Sequence, residues 1–280
     1  MPLCAFEDLA CPLDGLPLQQ VEKRWCCENG HSFDIARQGY VHLLPVQNKR
    51  SRDPGDSREM VAARQRFLDT GHYQPIADAV NRAVFGQGDH NTRLACLDAG
   101  CGEGYYLRQL ASAAPRELQL ALLGLDISKW AVLSAAKQQK GASWVVGSNA
   151  HLPVLPESLD RIMCLFGFPV YSEFARVLKA GGQLLLVDPG PEHLKELREI
   201  IYPELKSPRL HTDAAPEGFR SLEPESLSYA LNLAGQEQIR DLLAMTPHLY
   251  RAPPEGRERA FQLQSLTVTV DVVVRRLERL

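Results

Sequence analysis

Several features are missing from these 280 residues, and each absence excludes something. No stretch approaches the ~18–20 consecutive apolar residues that a membrane-spanning helix needs. The opening residues Met1-Pro2-Leu3-Cys4-Ala5-Phe6-Glu7-Asp8 carry acids where a secretory signal needs bases, which predicts a cytoplasmic protein. The net charge is only −3, from 31 Lys+Arg against 34 Asp+Glu, so the chain lacks the global basic footprint of a phosphate-coating protein. Any nucleic-acid contact must then rest on local patches, and Lys49-Arg50-Ser51-Arg52 is the obvious one. There is no internal repeat and no low-complexity tract. Seven cysteines, an odd number, do not make a disulfide framework. Cys4, Cys11, Cys26 and Cys27 crowd the amino-terminal end and read as metal ligands, whereas Cys96, Cys101 and Cys164 sit in apolar surroundings and read as small core residues.

What is present is ordinary for a globular chain: 45% apolar and 23% charged residues, enough to bury a real core. The length suits a domain of typical size plus one smaller module. Residues 1–45 are short, turn-rich and cysteine-rich, with strands expected around Trp25–Cys27 and Tyr40–Leu44. They cannot form a core of useful size alone, so a metal or the neighbouring domain must hold them. Residues 46–90 read as a helical linker. Asp53-Pro54-Gly55-Asp56-Ser57 is a turn ending in a helix N-cap, and the helix Arg58–Asp69 places Met60, Ala63 and Phe67 on one face with Arg64 and Arg66 outside. From residue 91 to 280 strands alternate with helices: strands at Leu94–Asp98, Leu120–Asp126, Ser143–Val146, Arg161–Leu165 and Gln183–Val187, with helices after the first two. This rhythm implies an α/β fold, a Rossmann-like parallel sheet with helices on both faces. Residues 192–205 and 222–244 read as helical, and the β-branched run Leu266–Val274 as a terminal, antiparallel strand.

The chemistry concentrates in Leu97-Asp98-Ala99-Gly100-Cys101-Gly102-Glu103-Gly104, a glycine-rich turn between a strand and a helix. Such a turn lets the backbone approach a ligand closely. The spacing is G-x-G-x-G, not the dinucleotide G-x-G-x-x-G. Asp98 precedes the first glycine by two; an anion there repels a pyrophosphate but suits the ammonium and sulfonium of S-adenosylmethionine. Asp126 ends the next strand, where a carboxylate can accept both ribose hydroxyls. A nicotinamide or flavin enzyme, and a purely structural turn, are the competing readings. After the third strand, Asn149 and the Ala150 backbone are placed to read the adenine edge, with a plain surface loop as the alternative.

Cys11-x2-Asp14 followed by Cys27-x3-His31 has the outline of two zinc knuckles, with aspartate where a second cysteine would be expected. Two readings stay open: a zinc site completed by a carboxylate, with Cys4 or Cys26 able to supply a further thiolate, or a knuckle that folds without metal. The carboxylate would make the site weak, which predicts sub-stoichiometric zinc.

Over nearly its whole length the chain resembles the RlmA-type bacterial 23S ribosomal RNA guanine-N1 methyltransferases. The resemblance rests on Cys11-Pro12-Leu13, Cys27 to His31, Gly39-Tyr40-Val41-His42-Leu43-Leu44-Pro45 and Lys49 through Ser57. It continues through Gly71-His72-Tyr73-Gln74-Pro75, Gly100 through Tyr106 and Pro189-Gly190-Pro191-x-His193-Leu194. It implies a class I methyltransferase core with a zinc-finger-like RNA-recognition module, and methylation of a guanine in a domain II hairpin of 23S rRNA. It also implies a homodimer with a cleft for that hairpin. Carried over, Tyr73, Gly102, Glu103, Asp126, Asn149 and His193 match the family's donor pocket, alongside Asp98, Gly100 and Gly104 of the loop. Cys11, Cys27 and His31 match its zinc ligands, and Asp14 departs from them. Guanine N1 must lose a proton; His72, Asp53 and Asp56 lie in family-specific stretches and are the candidates to accept it, but no catalytic residue is assigned. The rival functions are a methyltransferase of a quinone-like small molecule and a non-catalytic, donor-sensing RNA-binding factor.

Overall fold

A computed structural model describes residues 3–48, 51, 53–86, 92–205 and 214–280. The amino-terminal part contributes β1 (Leu3–Cys4), β2 (Gln19–Val21), β3 (Arg24–Cys26), β4 (Ser32–Asp34) and β5 (Tyr40–His42), followed by α1 (Arg58–Asp69) and α2 (Gln74–Phe85). The alternating region is β6 (Arg93–Ala99), α3 (Tyr105–Ala113), β7 (Gln119–Asp126), α4 (Lys129–Gln138), β8 (Ser143–Val146), β9 (Leu159–Leu165), α5 (Tyr171–Val177) and β10 (Leu178–Pro189). The chain ends with α6 (Lys195–Ile201), β11 (Phe219–Ser221), β12 (Glu225–Ala234), α7 (Gln236–Ala244), α8 (His248–Arg251), α9 (Pro254–Phe261) and β13 (Ser265–Arg279). Helix α1 starts where expected because the Ser57 hydroxyl accepts the Met60 N–H at 3.3 Å.

Among the described residues the large sheet runs β11-β13-β10-β9-β6-β7-β8-β5, with β1 also on β7 and β12 also on β13. Strands β5 to β10 pair in parallel, and β13 closes the sheet antiparallel to β10. The two-residue period of the strands sorts their side chains into two cores. Leu94 and Cys96 of β6 and Leu120 and Leu122 of β7 face the layer built by α1 to α4, α6, α7 and α9. Ala95, Leu97, Leu123 and Leu125 face the other side.

Helices thus stand on both faces, as the strand–helix rhythm implied, but unevenly. Among the described residues α5 is the helix on that other side, through Phe174 and Val177, and Phe6, Leu9, Leu18 and Trp25 of the amino-terminal module cover much of the remainder. Between β8 and β9, where a crossover helix would lie, the chain instead pairs with the module: Ala10 N–H donates to Pro153 O (3.0 Å) and Leu155 N–H to Asp8 O (3.0 Å). The module therefore gets its core by lying on the sheet, and β1 and β5 become strands of it.

Three readings need correction. Residues 225–234 are a strand, not helix: Leu227, Tyr229, Leu231 and Leu233 alternate with polar or small residues, and β12 pairs with β13 over its full length. Leu227 and Leu231 also satisfy a helical four-residue spacing, and the β-branched β13 decides between the two by offering an edge to pair with. Arg64 does not point outward; its side chain turns in beneath Met245 O (3.2 Å) and forms an ion pair with Asp56. The helix read over 192–205 is limited to Lys195–Ile201.

Trp144 locks the layer next to the glycine turn. A Cβ at Gly124 would lie 2.2 Å from its ring, and one at Gly104 would lie 2.6 Å from it. The indole N–H is fixed by Gln139 O at 2.8 Å, so the ring cannot easily yield. Gly124→Ala should cost ~1–3 kcal/mol, the scale of overpacking in a core. Denaturant unfolding of the single variant and of the Gly124→Ala/Trp144→Phe pair checks this. A loss that is the same in both backgrounds would mean that the indole does not set the requirement for glycine.

Candidate donor crevice and metal centre

The strand order reverses direction between β6 and β9, since the chain builds outward from β6 through β7 on one side and through β9 and β10 on the other. In open parallel sheets ligands bind at that switch point, beyond the carboxyl ends of the strands. The Asp98–Gly104 turn leaves β6 there. Gly102 and Gly104 adopt φ of +55° and +83°, a left-handed backbone that favours glycine, and Gly104 caps α3.

Asp126 organises the turn. One carboxylate oxygen accepts the Gly102 N–H (2.9 Å) and the other the Ser128 N–H (2.8 Å). Gly100 and Cys101 donate to Leu125 O at 2.8 and 3.0 Å. The amide of Asn149 donates to Ala99 O at 3.4 Å, joining the loop after β8 to the same turn. Ala150 is exposed, and its N–H is taken by Ser148 Oγ at 3.2 Å.

What distinguishes this crevice is its surplus of acceptors. Asp98 Oδ2, Glu103 Oε1 and Asn149 Oδ1 are buried without a hydrogen-bond partner. Buried polar atoms are rarely left so, because each costs free energy. Burial pushes the Asp98 carboxyl well above the usual range, and the nearby Asp126 and Glu103 push it further. Glu103 is raised by burial too, against the pull of Arg108 and Arg64. A ligand fits here if it brings hydrogen-bond donors and positive charge. S-adenosylmethionine does, with its ammonium, sulfonium and ribose hydroxyls; a pyrophosphate does not.

Tyr73 and His193 are linked through Phe166, the residue that follows β9. Ring centroids are 6.1 Å apart for Tyr73–Phe166 and 5.8 Å for Phe166–His193. His193 Nδ1 accepts the Asp271 N–H at 3.2 Å, and burial, assisted by the charge of Arg198, lowers its pKa to about 4. The imidazole is thus neutral at pH 7, and with Nδ1 accepting, its proton sits on Nε2.

The three candidate proton acceptors are not equivalent. Asp56 is committed to Arg64, Asp53 is exposed beside a cavity of about 30 Å³ that Trp130 and His42 help to line, and His72 keeps a buried Nε2 without a hydrogen bond. Arg64 itself was not singled out from the sequence as a site residue. Its Nη1 lies 3.4 Å from where a Cβ at Gly102 would sit, and Glu103 and Asp126 stand close enough to raise its pKa against burial. Only its position three residues after the apolar Val61, which puts the two on neighbouring sides of the helix, could have signalled this. Lys49, Arg50 and Arg52 of the basic stretch lie outside the described residues.

The second site is the cysteine cluster. Ligand atoms of Cys11, Asp14, Cys27 and His31 all lie within 4.8 Å of one another. Each half is a tight turn closed by glycine: Gly15 N–H donates to Cys11 O (2.8 Å) and Gly30 N–H to Cys27 O (3.0 Å). A tetrahedral zinc ion with ordinary bond lengths sets S···N edges of ~3.5 Å and an O···N edge of ~3.3 Å. The observed edges are 3.5 Å (Cys11 Sγ–His31 Nδ1), 3.4 Å (Cys27 Sγ–His31 Nδ1) and 3.0 Å (His31 Nδ1–Asp14 Oδ2). Leu16 N–H occupies Asp14 Oδ1 (3.1 Å), which leaves Oδ2 as a single oxygen ligand, itself steadied by Asn29 (3.1 Å). The four groups therefore fit zinc. Cys4 and Cys26 are not among them: Cys4 pairs with Ala121 in the large sheet, and Cys26 Sγ faces Ser32 Oγ at 3.6 Å.

Residues 9–52 match the family model described as "RlmA, N-terminal", a zinc ribbon, and residues 96–182 match a methyltransferase domain. A Streptomyces fradiae protein named 23S rRNA (guanine(748)-N(1))-methyltransferase is 32% identical, over 90% of this chain and 89% of that one. A Bacillus subtilis (strain 168) protein, YxjB, provisionally named a 23S rRNA (guanine-N(1)-)-methyltransferase, is 31% identical over 95% of each chain. A demethylmenaquinone methyltransferase of Thermotoga maritima is 34% identical, but over only 38% of this chain and 48% of that one. Fold and crevice define an S-adenosylmethionine-dependent methyltransferase. The chain belongs to the RlmA-type 23S rRNA guanine-N1 methyltransferase family.

Two measurements test these sites. An ammonium beside Asp98 favours its charged form, so binding lowers a carboxyl pKa that burial has raised. Affinity for S-adenosylhomocysteine is then full above the free-state pKa and falls as pH drops through it. Calorimetry across pH should show that fall in the wild type and a flatter profile in Asp98→Asn; a wild-type affinity independent of pH would reject the assignment.

For the metal, elemental analysis should find zinc with the wild type, lost in Cys27→Ser. A chelator should strip it more slowly from Asp14→Cys, because a thiolate replaces a single carboxylate oxygen. Equal stripping rates for the two would show that residue 14 is not a ligand.

Proposed function

We propose that this chain transfers the methyl group of S-adenosylmethionine to N1 of a guanine in a domain II hairpin of 23S rRNA, the guanine corresponding to the one numbered 748 in the name of the Streptomyces fradiae relative. The observation that carries the reading is the extent of the match. It spans the ribbon as well as the methyltransferase domain, and the ribbon is built into the same sheet that holds the crevice. A small-molecule methyltransferase has no use for that module, and the match to the menaquinone enzyme covers only 38% of the chain. The same resemblance supports action in the cytoplasm and as a homodimer.

In this reading Asp98, Gly100, Gly102, Glu103, Gly104, Asp126, Asn149 and Ala150, with Tyr73 and His193, hold the donor. The bound donor supplies an electrophilic methyl on a sulfonium. Asp98 and Glu103 neutralise its cationic end, Asp126 fixes the ribose, and the Gly102 backbone leaves room for close approach. Guanine N1 gives its proton to a basic side chain or to water as the carbon–nitrogen bond forms, and the carbon–sulfur bond breaks to leave a neutral thioether. Most of the acceleration comes from alignment of N1 with the methyl group.

Mass mapping of 23S rRNA fragments from cells lacking the gene, and from cells with it restored, tests the proposal. One hairpin fragment should lose a methyl mass in the deletion and regain it on restoration; unchanged fragments throughout would overturn it.

A further inference from the structure

The turn that follows β9 meets the donor site only through the ring of Phe166, yet it packs against the end of β6, where the glycine turn begins. Phe166 continues β9 by donating its N–H to Val187 O at 2.9 Å. Its backbone is left-handed, with φ +54°, a conformation that bulky residues rarely adopt and that costs free energy. Gly167 then packs the turn against the end of β6: a Cβ there would lie 3.0 Å from Cys164 Sγ and 3.7 Å from Ala99 O. Phe168 follows, 84% exposed, and Phe166 is itself 39% exposed.

Two phenyl rings are therefore carried by a pinned turn whose glycine lies against Ala99, the last residue of β6 before the donor loop, and both are exposed to water. A residue chosen only for packing would bury its ring and relax its backbone. Resting on the function proposed above, we propose that Phe166 and Phe168 form the acceptor platform, an aromatic surface on which the unpaired target guanine stacks with its N1 edge toward the donor. Stacking suits this substrate because a base buried in a duplex cannot present N1, and an extruded base offers its π-face. Tyr73 and His193 flank Phe166 with interplanar angles of 31° each, and so fix its tilt.

The test uses the full-length protein with Phe166→Gly, Phe168→Ala and Phe168→Trp. Glycine accepts the φ at residue 166 without penalty, so Phe166→Gly removes the ring while easing the backbone. Affinity for S-adenosylhomocysteine should be unchanged in Phe168→Ala and Phe168→Trp; Phe166→Gly also removes ring contacts to Tyr73 and His193 of the donor pocket, so it is read by its RNA affinity. Affinity for the RNA hairpin, and its KM, should weaken about tenfold in Phe166→Gly and Phe168→Ala, the scale of one lost stacking contact. Phe168→Trp should restore both. Unchanged RNA affinity in both ring-deletion variants overturns the platform, as does a loss of S-adenosylhomocysteine affinity in Phe168→Ala that parallels its loss of RNA affinity, which would place that ring in the donor site. If the wild type leaves the hairpin unmethylated while ring deletion still weakens binding of guanine-containing single-stranded RNA, the platform stands and the substrate assignment falls.

Discussion

Asp126 joins three parts of the molecule through one carboxylate. It ends β7, accepts an amide from the glycine turn after β6, and accepts another from the start of α4. It adds to the two amides that Leu125 O accepts from Gly100 and Cys101, on a turn whose glycines 100, 102 and 104 all have positive φ and few intrinsic restraints. Both its oxygens are engaged by backbone, so the group is held rigidly and still has lone pairs facing outward. Burial raises its pKa, but the two amides and the charge of Arg64 pull the other way. The position that would hold a ribose is thus the position that sets the shape of the turn, which is the preorganisation a binding site needs.

Charge around the turn follows from the same arrangement. Asp98, Glu103 and Asp126 bring three carboxylates into one buried region, where like charges disfavour ionisation. Arg64 answers part of this from α1, and Arg108 from α3, at 3.6 Å from Glu103. Arg64 is held by Asp56, and the Asp56 backbone carbonyl accepts the Ser128 hydroxyl at 2.7 Å. The segment before α1 is in this way fastened over the same end of α4 that Asp126 caps. Through Asp56 and Arg64 this segment packs against both the start of α4 and the glycine turn.

The glycine turn, its preceding strand and α3 were legible in the sequence because glycine spacing, apolar run and helix period coincide there. The four clustered residues of the ribbon were legible as a group because each knuckle is local, a cysteine and its partner three or four residues on. Three features were not. The inward turn of Arg64 depends on α7 supplying Met245 O, a partner far away in sequence. The strand at Glu225–Ala234 carries a leucine pair that satisfies two periods, and only the pairing with β13 selects one. The turn at Phe166-Gly167-Phe168 reads as an unremarkable apolar stretch until the topology places it against the end of β6.

The missing helix between β8 and β9 explains why the ribbon is where it is. A parallel sheet must be covered on both faces, and a crossover usually provides the cover. Here residues 147–158 cross without a helix, and Arg176 of α5 straightens the path by donating to Val154 O and Leu152 O at 2.8 and 2.9 Å. That leaves Ala95, Leu97, Leu123 and Val145 to be covered by Phe6, Leu9, Leu18 and Trp25. Trp25 and Cys27 come from the knuckle strand and turn themselves, so the geometry of the metal cluster and the packing of the sheet share residues. Loss of metal would be felt first in the turns at Gly15 and Gly30, which are surface features. Loss of the packing would expose the face on which the glycine loop's own strand rests. The ribbon is thus bound to the methyltransferase core through its apolar side, which leaves its two knuckle turns at the surface, where an RNA partner can reach them.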